Sequence, residues 1–392
     1  MRIRAILLIT FVLFFTKTSM AQNLKLSEYA AISILTCEPG TDLYASFGHS
    51  AIRVKDPLLG LDIIYNYGIF DFYAPNFYTN FVKGKLTYSL GRQYFNDFLF
   101  EYEREERDVK EQLLYLDATS KDRFFNFLES NFKPENRDYA YDFFYNNCAT
   151  KIRDLIEDPT ILPQITKLQK PQNHSSTFRT LLKENLGPNE WSMLGINMLL
   201  GSKIDKKIKF NEYQFLPSYL SEQLSDYQIN GSPLVKEERM AYKAIEKASI
   251  APELWKTPAF WSLFILLITI TISLYGLFAG VPARYLDVVL FGCTGLVSLL
   301  LMGLWFFSDH DPMKQNYNLL WASPLAWLLL FSKHTNNGIF KSTLSKLMVL
   351  SLISTAFIHI LGIQKFDLLF FPIIAALLIR SLPLWRRNES DK

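Results

Sequence analysis

The segment YDFFYNNCATKIRDLIED (141–158) sets one cysteine, Cys148, at the start of a helix that the pattern predicts over residues 149–157. The N-terminus of a helix favours negative charge, so a thiolate at Cys148 would be stabilised there. Backbone N–H groups at the same position are suited to hold an oxyanion. The segment therefore predicts a cysteine nucleophile.

A second segment, TDLYASFGHSAIRV (41–54), supplies the base that a thiolate needs. His49 falls on a predicted strand (45–54) that forms a hairpin with the next predicted strand (61–68). His174 lies in a polar loop, and we expect it to be solvated. A strand histidine and a helix-capping cysteine also occur together by chance, so spacing alone leaves a non-catalytic interpretation open.

The chain has three cysteines, Cys37, Cys148 and Cys293. Cys293 stands in the apolar run VVLFGCTGLVSLLL, which indicates a packing residue. A disulfide between Cys37 and Cys148 is the alternative to a nucleophile, because an exported domain permits one. Their contexts differ, so we expect a nucleophile.

The N-terminus has the pattern of a secretory signal peptide, which we assign to residues 1–21. Arg2 and Arg4 precede an apolar core (5–15), and small residues at Ser19 and Ala21 end the segment. An uncleaved anchor helix is the alternative. In both cases the following domain lies outside the cytoplasm.

Long apolar runs follow Lys256, whereas most charged residues precede it. Uncharged runs of about 20 residues are long enough to cross a bilayer, and the third, shorter run contains Pro324, which predicts a kink. The five expected spans are 259–280, 288–307, 319–331, 347–361 and 368–385.

Loop charges predict the topology of these spans, because Lys and Arg are enriched in cytoplasmic loops. With the exported domain in the periplasm, the cytoplasmic segments hold seven basic residues: Arg284, Lys333, Lys341, Lys346, Arg386, Arg387 and Lys392. The periplasmic loops hold only Lys314 and Lys365. We therefore expect a multi-pass bacterial inner-membrane protein with its C-terminus in the cytoplasm. The net charge of +3 gives no support for nucleic-acid binding.

The predicted organisation is an α+β catalytic core (22–160), a mainly helical periplasmic extension (161–250) and an all-α membrane domain (251–392). Within the core we predict a strand over 85–91 and a helix over 118–132, and leave 101–119 open between strand and helix. Within the extension we predict helices at 178–186, 189–200 and 237–247, with residues 236–256 as the link to the first span.

The order of the two reactive residues, histidine before cysteine, resembles the circularly permuted NlpC/P60 group, which includes lecithin:retinol acyltransferase-like enzymes. The resemblance implies a permuted papain-like domain. It also implies that a third polar residue, on the strand after the histidine, orients the imidazole. Asn66 in DIIYNYG is our choice for this residue, and Asp71 is the alternative.

Three runs in order, LTCEPGTDLYASFGHSAIRVKDP, YNYGIFDFYAPNFYTNFVKGKLTYSLG and FFYNNCATKIRDLIE, followed by five spans, resemble the Lnb-type lipoprotein N-acyltransferases. The resemblance implies an enzyme that moves an acyl chain from a membrane phospholipid to the α-amine of the diacylglyceryl-cysteine of apolipoproteins. It implies Cys148 as the acylated nucleophile and His49 as its base, with no cofactor. Cys37 stands in the LTCEPG run of the same resemblance.

A polar loop between the second and third spans, SDHDPMKQNYN (308–318), is the expected contact for a phospholipid head group or the acceptor. We assign this role to His310, Asn316 and Asn318; a solvated turn is the alternative. Three ligands so close in sequence as Asp309, His310 and Asp311 rarely converge on a metal, so we expect no metal.

Several other polar residues have competing interpretations. We include Arg153 and Tyr44 among the expected substrate-binding residues. Arg53 and Arg153 are candidates for phosphate contact, with salt bridges as the alternative. His359 is unusual inside a span, and helix–helix hydrogen bonding explains it equally well.

Two other functions compete with acyl transfer. The same Cys/His fold group includes cell-wall peptidases and amidases, although a wall hydrolase would need only a simple tether. A non-enzymatic membrane sensor with a degenerate domain is the other, and the intact NNCAT and FGHS segments argue against it.

Overall fold

The computed structural model describes residues 25–71, 73–168, 176–186, 191–245, 252–332 and 337–382. The predicted signal peptide and His174 lie outside the described residues. So do the last residues of the fifth predicted span and the basic residues Lys333, Arg386, Arg387 and Lys392.

A seven-stranded antiparallel sheet forms the centre of the periplasmic domain, with the strand order β10-β5-β1-β2-β3-β4-β6. Its strands are β1 (Ala31–Cys37), β2 (His49–Asp56), β3 (Leu61–Ile69), β4 (Thr87–Tyr94), β5 (Val109–Leu114), β6 (Asp138–Ala140) and β10 (Val235–Tyr242). The predicted hairpin is β2 and β3, joined by a tight turn in which Gly60 has φ = 64°.

Alternating residues give the sheet two apolar faces. Helices α3 (Ala118–Phe132) and α4 (Cys148–Glu157) pack on one face, where Ile34, Ile52 and Tyr65 contact Phe124 and Ile152. Helix α2 (Phe95–Glu105) packs on the other face, against Leu35, Ala51 and Ile64. A further helix, α1 (Phe77–Lys83), connects β3 to β4 and has no buried residue.

The structure settles the undecided segment 101–119 as the end of α2 followed by strand β5. It also shows that the predicted helix at 237–247 is wrong. Residues Val235–Tyr242 form β10, which pairs with β5 at the edge of the sheet, so this segment is not merely a link to the first span. The sequence KEERMA has high helix propensity, but pairing with a distant strand overrides local preference.

The rest of the extension contains helices α5 (Phe178–Leu186), α6 (Trp191–Leu199) and α7 (Pro217–Gln223). It also has a three-stranded sheet of β7 (Ile165–Lys167), β8 (Tyr227–Ile229) and β9 (Ser232–Pro233), which the mainly helical prediction did not include. Helix α6 is apolar on both sides. Met193 packs in the periplasmic core, whereas Leu194 and Met198 pack against the membrane helices.

Three described helices are long and apolar enough to cross a membrane: α8 (Pro258–Ala279), α9 (Arg284–Phe307) and α11 (Gly338–Ile360). Two shorter apolar helices, α10 (Leu325–Phe331) and α12 (Phe370–Ser381), pack with them.

The third predicted span (319–331) is not one continuous helix. A 3-10 turn (Tyr317–Leu320) ends before Pro324, and α10 has only 7 residues, about 10 Å of helix. Helices α9 and α10 pack closely together. Trp327 of α10 donates a hydrogen bond to the Gly292 carbonyl of α9 (3.0 Å), and a Cβ at Gly295 would lie 1.9 Å from the Trp327 indole ring.

A buried ion pair inside the bundle was not predicted. Arg380 of α12 makes two hydrogen bonds with the Asp287 carboxylate of α9 (2.7 and 3.0 Å) and a third with Ser273 of α8 (3.3 Å). Charged side chains buried inside a helical bundle are costly unless they are paired. The contacts of Arg380 therefore connect α12 with both α9 and α8.

The loop after α9 connects the periplasmic and membrane parts. Asn318 and Asn316 are buried and donate hydrogen bonds to main-chain carbonyls at 197–199, at 2.8–3.0 Å. This corrects the expectation that these two amides contact a lipid head group, because neither is accessible to one. A Cβ at Gly201 would lie 2.2 Å from the Lys314 carbonyl oxygen, so only glycine lets these two backbone segments approach so closely.

A buried arginine extends this connection. Arg179 pairs with Asp205 (2.9 Å) and donates to the Asn197 side chain (2.7 Å), which in turn donates to Asp367 in the loop before α12 (2.7 Å). Both periplasmic loops of the bundle therefore bind the same segment of the periplasmic domain.

We predict that Asn318→Ala lowers the free energy of unfolding by about 2 kcal/mol, because it leaves the Asn197 main-chain carbonyl and the Trp321 indole N–H without their partner. Thermal unfolding of the full chain in detergent measures the change. Asp309→Ala, an exposed residue of the same loop, is the control. Equal melting temperatures for the two variants would contradict the structural role of Asn318.

Candidate active site

Asn147 fixes the start of helix α4. Its side-chain oxygen accepts hydrogen bonds from the N–H groups of Ala149 (3.0 Å) and Thr150 (2.9 Å), and the Thr150 hydroxyl accepts one from the Asn147 N–H (2.7 Å). The Asn147 amide also donates to the carbonyls of Phe143 and Phe215 (2.7 and 2.8 Å). These contacts hold Cys148 as the first residue of the helix.

His49 is the first residue of β2, directly opposite Cys37 in β1. The chain enters the strand through Gly48, where φ is 74° and a Cβ would lie 2.7 Å from the Cys37 carbonyl oxygen. Only glycine fits this approach without strain. The backbone conformation at Gly48 therefore fixes the position of His49 at the start of β2.

The structure brings three predicted residues together. Nε2 of His49 lies 2.5 Å from Oδ1 of the buried Asn66 on β3. The imidazole also interacts with the Cys148 side chain, through charge and a side-chain hydrogen bond. An amide oxygen can only accept, so Nε2 carries a proton and Nδ1 remains for the sulfur. Cys148 and His49 are both half-buried and accessible from outside.

The surroundings favour an ion pair between the two reactive groups. Burial alone would raise the pKa of the Cys148 thiol, but the charge and hydrogen bond of His49, with the N–H groups of Ser50 and Ala149, bring that pKa below its usual value. Burial alone would lower the pKa of His49, but Cys148 and Asn66 raise it above its usual value. Both shifts favour the thiolate–imidazolium form over the neutral pair.

Cys37 is also a free cysteine, but its thiol pKa is shifted in the opposite direction to that of Cys148. It is fully buried beside Tyr102, and desolvation raises the pKa of its thiol to about 12. Cys148 is free as well, so the two do not form a disulfide. Cys293 lies exposed on the bundle surface and not in its core, which corrects the packing expectation.

The remaining candidates lie elsewhere or have other partners. Asp71 accepts a hydrogen bond from the Tyr73 N–H and does not hold His49. Tyr44 is 69% exposed on the turn before β2. Arg153 pairs with Asp154 (2.6 Å), and Arg53 is buried between Asp62 and Glu111. These ion pairs match the alternative interpretation of both arginines.

Two histidines and an aspartate of the membrane part also have assigned contacts. His310 contacts the Phe81 carbonyl of α1 (2.6 Å), and Asp311 pairs with Lys203, so the two side chains do not converge on a metal. His359 accepts a hydrogen bond from the Phe366 N–H (3.1 Å), which is a local contact at the end of α11. Among the described residues no group of three potential ligands is placed to hold a metal ion.

Sequence analysis missed the positioning residues. Asn147 lies in the NNCAT run, directly before the predicted helix, and Thr150 follows three residues later. This spacing is a helix-capping signal that the sequence contains. The N–H of Ser50, which points to the sulfur, has no sequence signal of its own.

Two family profiles match the chain. The Lnb N-terminal periplasmic domain matches residues 17–184, and the Lnb transmembrane domain matches residues 250–388. Cys148, His49 and Asn66 all lie within the first match. No curated protein and no solved structure matches the chain.

We predict that iodoacetamide alkylates Cys148 with a midpoint pH below the value of about 8.5 for a free cysteine. His49→Ala moves the midpoint upward, because it removes the main groups that lower the thiol pKa and leaves the effect of burial. Mass spectrometry of alkylated peptides measures both, and Cys37 is the internal control that stays unmodified. The same midpoint in both proteins would show that His49 does not stabilise the thiolate.

We also predict that Asn147→Ala lowers the free energy of unfolding by about 2 kcal/mol or more, since it removes a helix cap and leaves two carbonyls unpaired. Chemical denaturation measures it, with Asn136→Ala, an exposed asparagine, as control. A loss no larger than that of the control would mean that the cap does not hold α4.

Proposed function

We propose that this chain, which belongs to the Lnb family, is a phospholipid-dependent apolipoprotein N-acyltransferase. The observation that carries the proposal is the contact of Cys148 with His49, oriented by Asn66, in a periplasmic domain joined to membrane helices. A thiolate in this position suits acyl transfer between two membrane-bound substrates.

In the first step the Cys148 thiolate attacks the ester carbonyl carbon of a phospholipid. The N–H of Cys148 has no acceptor within its own helix, because it is the first residue of α4, and is available to the oxyanion. When the tetrahedral intermediate collapses, the C–O bond breaks and the His49 imidazolium gives its proton to the leaving oxygen. The products are a lysophospholipid and an acyl thioester on Cys148.

In the second step the α-amine of the diacylglyceryl-cysteine attacks the thioester carbonyl. His49, now neutral, takes the amine proton, and the C–S bond breaks to release the thiolate. An amide forms on the lipoprotein, and the thiolate–imidazolium pair is restored. Asn66 keeps the imidazole in one orientation through both steps.

The proposed setting is the bacterial inner membrane. The loops that follow α9 and α11 both bind the periplasmic domain, so α12 leads away from the periplasmic side. This supports a cytoplasmic C-terminus. The rigid connection also supports acyl transfer, because it holds the site at a fixed height above the bilayer where both lipid substrates lie.

The rival functions explain less of the molecule. A cell-wall peptidase or amidase has no use for a domain bound to the bundle at two loops. A sensor has no use for a paired thiol and imidazole with a buried orienting amide.

We predict that Cys148→Ser abolishes N-acylation of lipoproteins in cells that depend on this protein, and that His49→Ala lowers it by roughly 10²–10⁴-fold. Asn66→Ala gives an intermediate loss, since the imidazole remains but is no longer held. Mass spectrometry of lipoprotein N-terminal peptides measures all three.

Cys293→Ser, at the exposed thiol on α9, is the matched control and should retain full N-acylation. Normal N-acylation in the Cys148→Ser cells would refute the proposal. Altered cell-wall fragments with unchanged lipoproteins would favour the peptidase.

A further inference from the structure

An open groove of about 290 Å³ lies between α1 and the ends of β3 and β4. Its lining combines the apolar side chains of Ile69, Phe77 and Leu86 with the small polar Thr87 and the charged Asp71 and Lys85. The mechanism above does not assign it a role. Its position relative to both the site and the membrane helices indicates one.

One end of the groove lies beside the imidazole. A Cβ at Gly68 would be 4.0 Å from Cε1 of His49, and the next residue, Ile69, lines the groove. On the same edge Phe70 packs on Tyr88 (5.0 Å between ring centres), and Tyr88 stacks on Tyr141 (4.1 Å). This row of rings extends from the groove lining to Tyr141, which precedes Cys148 by seven residues in the chain.

The other end of the groove lies where a membrane helix ends. The N–H of Asp309, two residues after α9, donates to the Lys83 carbonyl at the end of α1 (2.8 Å). Gly84 has φ = 76°, and a Cβ there would lie 2.7 Å from the His310 nitrogen. Helix α1 is therefore held at the periplasmic end of α9, at the level of the bilayer surface.

The free side of α1 has the composition of a membrane interface. Its exposed residues include Tyr78 (72%), Phe81 (46%) and Val82 (57%), with Tyr73 fully exposed just before the helix. Aromatic side chains are favoured at the level of lipid head groups. Lys83 and Lys85, which are both exposed, follow in the chain and offer cations for a lipid phosphate.

We propose that this groove is the port through which one acyl chain of the donor phospholipid reaches Cys148, with α1 seated in the outer leaflet. The inference rests on the proposed acyltransferase function. The lipid keeps its phosphate near Lys83 and Lys85, and the chain to be transferred enters past Phe77 and Leu86 to the ester-bearing end beside His49.

The first test fills the groove. Full-length protein is reconstituted in vesicles of phosphatidylethanolamine and phosphatidylglycerol without acceptor, and intact mass follows acylation of Cys148 over time. Thr87→Trp places a bulky ring on the groove wall, and a strand tolerates aromatic residues. We expect acylation from vesicle lipid to slow by at least about tenfold, while acylation by the soluble ester p-nitrophenyl butyrate is unchanged.

Thr166→Trp, an exposed threonine on β7 of the smaller sheet, is the matched control and should behave as the wild type. A Thr87→Trp protein that takes acyl chains from vesicles at the wild-type rate overturns the port. Equal loss with lipid and soluble ester overturns it as well, because the substitution would then act on Cys148 itself. Failure of the wild type to accept any acyl group from lipid refutes the proposed function.

The second test disrupts the contact of α1 with the lipid surface. Tyr78→Asp puts a charge on the lipid-facing side of α1 and should slow acylation from vesicles but not from p-nitrophenyl butyrate. Tyr29→Asp makes the same chemical change at another exposed tyrosine, before β1, and should have no effect. Equal rates for the two variants on vesicles would mean that α1 does not enter the lipid surface.

Discussion

The hydrogen bonds of one buried amide, Asn147, hold the site together. Its oxygen caps α4, and its nitrogen ties the preceding turn and the 210–215 segment to the same point. A capped helix start does two things for Cys148: it sets the direction of the sulfur, and it adds the partial positive charge of the helix N-terminus. The contact with His49, which lowers the pKa of the Cys148 thiol, depends on the helix beginning at this residue.

A second constraint makes the membrane part more than an anchor. Buried polar groups from both periplasmic loops bind the segment around Asn197, so these contacts attach the periplasmic domain to the bundle at one place. Such groups are costly to bury unless every partner is present, and this makes the connection specific. The same contacts set α1 at the level where the membrane helices end. The proposed entry of an acyl chain through the groove depends on this placement of α1.

Sequence analysis predicted the α+β domain before a helical bundle from local patterns and long apolar stretches. It took the family, and Asn66 as the partner of His49, from the resemblance of its sequence runs. The resemblance to the Lnb family and the fold class are confirmed. Strand β10 was predicted as a helix because its structure depends on β5, more than 120 residues earlier. Asn316 and Asn318 were assigned to substrate for the same reason, since their partners at 197–199 are invisible in a polar loop sequence. The catalytic roles of Cys148, His49 and Asn66 stay predictions.

The central claim is that the Cys148 sulfur carries the acyl chain. The most direct measurement is intact-protein and peptide mass spectrometry of the full chain after incubation with phosphatidylethanolamine vesicles in the absence of acceptor. We expect one added acyl mass, located on the peptide that contains Cys148 and released by neutral hydroxylamine, as a thioester would be. An unmodified Cys148 in protein that still forms N-acylated lipoprotein would contradict it.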